Sequence, residues 1–282
     1  MRTGLVLEGG AMRGLFTMGI LDAMLERGLR VDGMIGTSAG AAFGCNFKSH
    51  QPGRVLRYGT RFCRDWRFAS VRSWLLTGDL YGARFCYEEI PLRLDPFDSE
   101  AFAADPTDFW LTATDMDTGE AVYHQCLRGD AEDLLWIRAT ASMPMVSRPV
   151  VIDGRSLSDG GTADSIPLAA MEGLGYERNL VILTQPQGYV KQPNSALPAM
   201  RVLLRRRPRL LEALADRHVR YNGQLAYVRR REAEGAALVL RPPEALGISA
   251  VCHDPEEMRR VYAVGRRLAL ARMDEISAFL QA

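Results

Sequence analysis

The beginning of the chain repeats one pattern twice: a short apolar strand, a glycine turn and a helix. Residues 5–7 are apolar and are followed by glycine, and leucine and methionine then recur at helical spacing over residues 15–25. A second apolar strand over residues 31–35 leads into a small-residue turn and another helix start. Parallel strands joined by helices require right-handed crossovers with helices on both faces of a sheet. The sequence therefore predicts an α/β fold with three α/β/α layers and a mainly parallel central sheet.

Later segments extend this prediction with further strands and helices. The patterns predict one helix over residues 54–80 with a solvated basic face (Arg54, Arg57, Arg61, Arg64). They also predict strands over 109–114, 121–125, 150–152, 155–158, 180–184 and 236–241, and helices over 131–142 and 255–282.

The composition is that of an ordinary globular protein, with 47% hydrophobic and 24% charged residues among 282. This mixture excludes a disordered, collagenous or disulfide-stapled chain. The five cysteines are widely spaced and form no CxxC pair, which favours a reducing compartment and argues against structural zinc. No stretch reaches about 18 uncharged apolar residues, and no signal peptide is recognised at the start. We expect a cytoplasmic protein.

The formal net charge of +1 conceals two oppositely charged blocks. Residues 87–133 hold thirteen acidic side chains against two arginines, and residues 201–231 hold ten arginines against two acids. The change in composition predicts one core over residues 1–180 and a basic, mostly helical extension over 181–282. Leucines interleaved with the arginines favour amphipathic helices and argue against nucleic-acid binding. Two interpretations of the basic block remain: it pairs with the acidic block, or it contacts an anionic membrane. In the second case the protein would lie at the inner face of the cell membrane.

The second glycine turn, Gly36-Thr37-Ser38-Ala39-Gly40, fits G-x-S-x-G, the sharp strand-to-helix turn that exposes a serine hydroxyl. Small neighbours are needed because the serine backbone is strained and larger side chains would collide. The helix that follows directs its amides at developing negative charge. Ser38 is therefore the candidate nucleophile.

The first turn, Gly9-Gly10-Ala11-Met12-Arg13-Gly14, also lies between a strand and a helix. A dinucleotide fingerprint would require G-x-G-x-x-G and an acid at the end of the second strand, and neither is present. A nicotinamide-dependent oxidoreductase is therefore disfavoured. The turn instead predicts a nest of backbone N–H groups beside the nucleophile, where an oxyanion hole is expected.

A serine nucleophile needs a base, and the chain offers four histidines and several aspartates. His50, His124, His218 and His253 lie outside recognisable glycine turns. Asp159 follows a strand and opens Asp159-Gly160-Gly161, whose glycines permit close backbone approach. Asp153 precedes a glycine between two short strands, as in a hairpin turn.

Together, these three motifs, in this order, resemble the patatin-like phospholipase family. The matching blocks are residues 9–14, 36–40 and 159–161, and the resemblance covers about residues 4–175. It implies a lipid acyl hydrolase of phospholipase A or lysophospholipase type, with no cofactor and no metal. Ser38 would attack the acyl carbonyl to form an acyl-enzyme, and Asp159 would accept the proton without a histidine.

The resemblance also assigns supporting residues around this pair. The oxyanion hole would comprise Gly9, Gly10, Ala11, Arg13 and Gly14, although the family pattern more often has glycine at Ala11. Supporting glycines would be Gly36, Gly40, Gly160 and Gly161. Two alternatives remain: an α/β-hydrolase triad using His218 or His253, and a catalytically silent protein that binds acyl groups or lipids.

Overall fold

A computed structural model of the protein describes residues 1–281, and its centre is one eight-stranded sheet. Hydrogen-bonded neighbours follow the order β5-β6-β3-β2-β1-β7-β8, and β4 also pairs with β3. The strands are β1 (Thr3–Leu7), β2 (Gly33–Thr37), β3 (Asp108–Asp115), β4 (Ala121–Cys126), β5 (Val150–Ile152), β6 (Arg155–Asp159), β7 (Arg178–Ile182) and β8 (Ala237–Leu240).

The helices cover both faces of this sheet. They are α1 (Gly14–Glu26), α2 (Ala39–Lys48), α3 (Arg54–Phe62), α4 (Val71–Thr77), α5 (Ser99–Ala104), α6 (Ala131–Thr140), α7 (Leu168–Gly173), α8 (Leu197–Leu203), α9 (Pro208–Ala215), α10 (Arg217–Ala233), α11 (Pro255–Ala271) and α12 (Met273–Gln281). A π-helical segment covers Phe85–Leu94, and short 3₁₀ turns cover Ala11–Arg13 and Gly160–Thr162.

Strand pairing confirms the predicted three-layer α/β/α fold with a mainly parallel sheet. Five neighbouring strands are parallel to one another, in the order β8, β7, β1, β2 and β3. The other pairings, which involve β4, β5 and β6, are antiparallel. The hairpins join antiparallel strands, β3 with β4 and β5 with β6. The helical connections from β1 to β2, from β2 to β3 and from β7 to β8 join parallel strands, as the connection lengths require.

Alternation along β1 divides the core into two layers on opposite faces of the sheet. Leu5 and Leu7 lie in a large cluster with residues of α1, α2, α6 and α11, and this face is called the α1 face below. Val6 lies in a second cluster with Tyr221 and other residues of α7 and α10, and this face is called the α10 face. Both layers are closed to water.

The segment after residue 180 contributes to the same sheet and the same core. Strand β8 pairs in parallel with β7, and α11 packs along α1. Tyr262 donates to Asp22 Oδ2 at 2.7 Å, and Arg266 forms a salt bridge with Glu26. The boundary at residues 180 and 181 stays a prediction, as does the cytoplasmic location. Within residues 1–281 no helix is both long enough and apolar enough to cross a membrane.

The predicted single helix over residues 54–80 is wrong, because the structure has α3 and α4 with a turn between them. Ser70 ends the turn by capping α4, since its hydroxyl accepts the Ser73 N–H. The solvated basic face is wrong for Arg54, which is buried and bonded to Asn46 Oδ1 and the Asp95 carbonyl. Helical spacing alone cannot show that a second element will cover one part of a basic stripe.

Pairing between the basic and acidic blocks is almost absent. Among the described residues, Arg207 with Asp117 is the one salt bridge that joins residues 201–231 to residues 87–133. Most other arginines of the basic block that form salt bridges use acids near them in the sequence, such as Arg209 with Glu212. The acidic block instead meets cations from elsewhere in the core.

Candidate active site

Ser38 occupies the sharp turn between β2 and α2, with φ 54° and ψ −124°. The positive φ is a strained conformation for a residue with a side chain, and it lifts the hydroxyl above the end of the sheet. A Cβ on Gly36 would lie 2.5 Å from the Ala41 nitrogen, and one on Gly40 would lie 2.4 Å from the Leu7 carbonyl oxygen. The turn therefore requires glycine on both sides of the serine.

Strand β3 aligns Ser38 with Asp159 although 121 residues separate them. Thr37 at the end of β2 pairs with Thr112, and Asp159 at the end of β6 pairs with Ala113. Strand β4 pairs along one edge of β3. Strands β2 and β6 must therefore share the opposite edge of β3, where they meet end to end. Ser38 Oγ donates to Asp159 Oδ2 at 2.6 Å.

The carboxylate of Asp159 is buried and held by backbone contacts. Its Oδ1 accepts the Gly161 N–H at 2.8 Å, and its own N–H donates to the Ser142 carbonyl. Burial raises the pKa of Asp159, while the hydrogen bond from Ser38 and the positive charge of Arg217 act in the opposite direction. The net upward direction makes this carboxylate a better proton acceptor than a free aspartate.

Thr140, the last residue of α6, holds the turn at Ser38 in place. Its Oγ1 accepts the Ser38 N–H at 2.8 Å and donates to the Thr112 carbonyl. The threonine thus links the serine turn to the strand that aligns Asp159. Sequence patterns missed this residue and Arg217, because neither belongs to a local motif.

The first glycine turn lies beside Ser38, but only some of its backbone N–H groups are free to bind a ligand. The N–H of Gly9 donates to Ser165, that of Arg13 to Gly10, and that of Gly14 to carbonyls of the 3₁₀ turn. By contrast, the amides of Gly10 and Ala11 find no acceptor within residues 1–281, and the same holds for Ala39, which begins α2. These three amides are free to bind an anion beside Ser38.

Ala11 has φ 47°, the left-handed region that favours glycine. A non-glycine residue there costs about 1 kcal/mol. This is the position where the family pattern more often has glycine, so the strain has a local cause in the sequence. The turn retains the conformation with an alanine.

An apolar cavity of about 880 Å³, including its open mouth, begins at Ser38 and extends into the α1 face. Its wall is mostly aliphatic and aromatic. The lining includes Ala11, Met12, Ala39, Ala42, Phe43, Phe68, Tyr81, Ile90, Phe97, Ile137 and Met143. A lining of this kind suits a flexible hydrocarbon chain.

None of the histidines bonds to Ser38 in the part of the chain that the structure describes. His218 Nδ1 lies 3.0 Å from the Ala215 carbonyl oxygen, and His253 Nδ1 lies 2.6 Å from that of Cys63. His50 pairs with Asp105, and His124 stacks on Trp136. The geometry gives a triad with His218 or His253 no support.

One group of metal-ligand type occurs among residues 1–281, and the sequence did not suggest it. His124, Cys126 and Asp133 place their ligand atoms within 4.8 Å of one another. Asp133 already accepts the N–H groups of Arg128 and Gly129, which hold the loop before α6. None of the three contacts Ser38 or Asp159.

Two family models match the chain. The model described as patatin-like phospholipase matches residues 5–171, and one described as a domain of unknown function (DUF6363) matches residues 207–281. The first match contains all three glycine motifs. The second covers α9 to α12, including the strand β8.

Three curated relatives align with 61% to 66% of the chain. Lysophospholipase NTE1 of Kluyveromyces lactis is 30% identical over 177 residues, which cover 61% of this chain and 12% of that protein. An uncharacterised NTE family protein of Mycobacterium tuberculosis is 29% identical over 183 residues, or 64% of this chain and 48% of that protein. The uncharacterised Escherichia coli protein YjjU is 30% identical over 195 residues, or 66% and 52%. The chain thus spans about half of the bacterial relatives' length and far less of NTE1.

Among solved structures, the crystal structure of VipD from Legionella pneumophila has 12% identity and a TM-score of 0.46, and the alignment covers 97% of this chain and 67% of that chain.

Proposed function

Because the chain belongs to the patatin-like phospholipase family, we propose that it hydrolyses acyl esters of lipids with Ser38 as nucleophile and Asp159 as proton acceptor. The observation that carries this proposal is the 2.6 Å hydrogen bond from Ser38 Oγ to Asp159 Oδ2 at the mouth of an apolar cavity. A nucleophile, a base and a place for the acyl chain are thereby adjacent.

In the first half of the reaction, Ser38 Oγ bonds to the acyl carbonyl carbon as its proton passes to Asp159 Oδ2. The carbonyl oxygen becomes an oxyanion, which the amides of Gly10, Ala11 and Ala39 are placed to stabilise. The bond to the leaving alcohol then breaks, and the alcohol takes the proton from Asp159. An acyl ester of Ser38 remains.

In the second half, water repeats these steps in place of the serine. Asp159 accepts a proton as the water oxygen bonds to the acyl carbon, and the same amides hold the oxyanion. The ester bond to Ser38 breaks, Ser38 Oγ recovers the proton, and the fatty acid leaves. The helix dipole of α2 stabilises both oxyanions because Ser38 lies at the start of that helix.

The apolar cavity on the α1 face is proposed to hold the acyl chain. Several relatives are named lysophospholipase NTE1, which favours a substrate with one acyl chain. The apolar lining suits a hydrocarbon chain next to Ser38.

Peripheral contact with an anionic membrane is proposed for α8 and the residues after it. No residue of α8 is buried, and Val202 and Leu203 are exposed beside Arg201, Arg205 and Arg206. Within residues 1–281 these three arginines form no salt bridge, so their charge is available to lipid phosphates. Met200 and Leu204 anchor the helix against Met116, which follows the end of β3.

The test of the proposed chemistry compares Ser38→Ala and Asp159→Asn with matched controls at Ser195 and Asp153. Ser195 is exposed, and Asp153 precedes a glycine in a hairpin turn with φ 50°. Hydrolysis of a p-nitrophenyl ester and of lysophosphatidylcholine should fall by at least about 10³-fold in the first two variants. Ser195→Ala and Asp153→Asn should retain activity.

Covalent labelling separates catalysis from silent lipid binding. A fluorophosphonate should label the wild type at Ser38 and fail to label Ser38→Ala. A wild-type protein that binds lipid but neither hydrolyses esters nor takes the label would refute the proposed function.

A further inference from the structure

Three cationic side chains from separate segments approach the nucleophile from the α10 face. Arg13 Nε donates to Thr184 Oγ1 at 3.4 Å, just beyond β7. Arg217 Nε donates to the carbonyl of Gly161, two residues after Asp159. Lys191 Nζ lies 4.9 Å from the centre of the Tyr221 ring. We call these three residues the cationic cluster.

The lysine of this cluster is held in place by α10. Asn222 Oδ1 accepts the Lys191 N–H at 2.9 Å, and Asn222 Nδ2 donates to the Lys191 carbonyl at 3.0 Å. The Tyr221 hydroxyl beneath the ammonium group donates to Glu8 Oε1 at 2.6 Å. Because Glu8 immediately precedes Gly9, this chain of contacts positions Lys191 beside the oxyanion turn.

The cluster has carboxylates nearby but, in the described part of the chain, no salt-bridge partner. Asp159 lies near Arg217, and Glu8 lies near Arg13. Across residues 1–281 none of its three members forms a salt bridge with a carboxylate. The nearby Glu8 is fully enclosed, and its oxygens accept from Tyr221 and from the Thr184 N–H. Burial raises the pKa of Glu8, while its hydrogen bonds and the positive charge of Arg13 act in the opposite direction.

The cations of the cluster are close enough to affect one another. Burial and the positive charges of Arg217 and Arg13 together lower the pKa of Lys191 to about 8, while the charge of Glu8 acts in the opposite direction. Cations held near one another without a salt-bridge partner form a preorganised anion site, because a bound anion removes the repulsion.

The sheet separates this cluster from the apolar cavity. The cavity residues of α2 and α6 lie on the α1 face, whereas Tyr221 packs on the α10 face with Val6. Ser38 lies at the edge between the two faces. An ester at Ser38 can therefore place its acyl chain on one side and a charged alcohol group on the other.

We propose that Arg13, Lys191 and Arg217 bind the phosphate of the leaving alcohol, so that the preferred substrate is a lysophospholipid with a terminal phosphate monoester. This inference rests on the proposed function. A phosphate monoester offers more charge and more acceptor oxygens than a phosphate diester, which suits a cluster with three cations. The quaternary ammonium of a choline head group would instead be repelled.

The kinetic test compares lysophosphatidic acid, lysophosphatidylcholine and monoacylglycerol, all with an oleoyl chain and in the same detergent micelles. We expect the wild type to prefer lysophosphatidic acid in kcat/KM by at least about tenfold. Lys191→Met should reduce that preference about tenfold, and Lys191→Arg should restore it. Arg259→Met, which removes an exposed arginine from α11, should leave the preference unchanged.

A binding measurement keeps this inference separate from catalysis. Glycerol phosphate should bind to the Ser38→Ala protein in calorimetry, and Lys191→Met should weaken that binding about tenfold. Hydrolysis of all three lipids without preference, or a parallel loss on all three in Lys191→Met, would overturn the phosphate site and leave the proposed esterase intact. Absence of hydrolysis with intact phosphate binding would overturn the esterase and the substrate preference together, and would leave only the phosphate site.

Discussion

Ala42 offers a direct test of where the acyl chain lies. It follows Ser38 by one helical turn on α2, and it lines the apolar cavity. Leucine at this position would add three carbon atoms to the cavity wall just beyond the reaction centre. The change should therefore occupy space that an acyl chain would use.

The expected magnitude follows from the displaced hydrocarbon. Each methylene that loses its place in an apolar site forfeits about 0.8 kcal/mol. Three methylenes therefore amount to about 2.4 kcal/mol, or about 60-fold in kcat/KM. The loss should apply to long acyl chains that reach past Ala42, whereas an acetyl ester should be hydrolysed almost as before.

The assay measures kcat/KM for p-nitrophenyl esters from acetate to dodecanoate. Ala169→Leu is the matched control, because it adds the same atoms to an exposed position on α7. If Ala42→Leu and the wild type showed the same dependence on chain length, the cavity would not be the acyl site.

Four further outcomes are expected. Each His→Ala change, at His50, His124, His218 and His253, should leave esterase activity largely intact, and loss of activity in one folded variant would disprove the dyad. Because burial raises the pKa of Asp159, kcat/KM should fall as the pH drops through a value above that of a free aspartate; a flat profile down to about pH 4, with folding checked by circular dichroism, would contradict this role. Burial raises the pKa of Asp22 from 3.8 to about 6, so the folded state holds this proton more tightly than the unfolded state and the resulting stability is lost as the pH rises. Between pH 4 and pH 7 the wild type should lose about 2.4 kcal/mol of unfolding free energy relative to Asp22→Asn in urea titrations, and an equal pH dependence of the two unfolding free energies would contradict this. Finally, Arg201→Gln, Arg205→Gln and Arg206→Gln combined should reduce flotation with anionic liposomes at low salt, and unchanged flotation would exclude α8 as the contact.

The parts of the fold that sequence patterns predicted well are those with local causes. The strand, turn and helix at Ser38 depend on glycines whose replacement would collide with atoms of the same turn or the adjoining strand. The parallel order of β1, β2 and β3 follows from the helices that connect them. The helix predicted over residues 54–80 failed because a turn and a single serine cap interrupt its periodicity.

The amino-acid sequence by itself determined the sheet, the serine turn and the glycine motifs, because steric limits on a few neighbouring residues suffice to specify them. The tertiary structure decided which residues distant in the sequence come together. The register of β2 and β6 along β3 aligns Ser38 with Asp159, and packing of α10 on the sheet brings Arg217 and Lys191 to Arg13. Such pairs are separated by dozens to more than a hundred residues, and their proximity depends on strand register and burial, which no local pattern encodes.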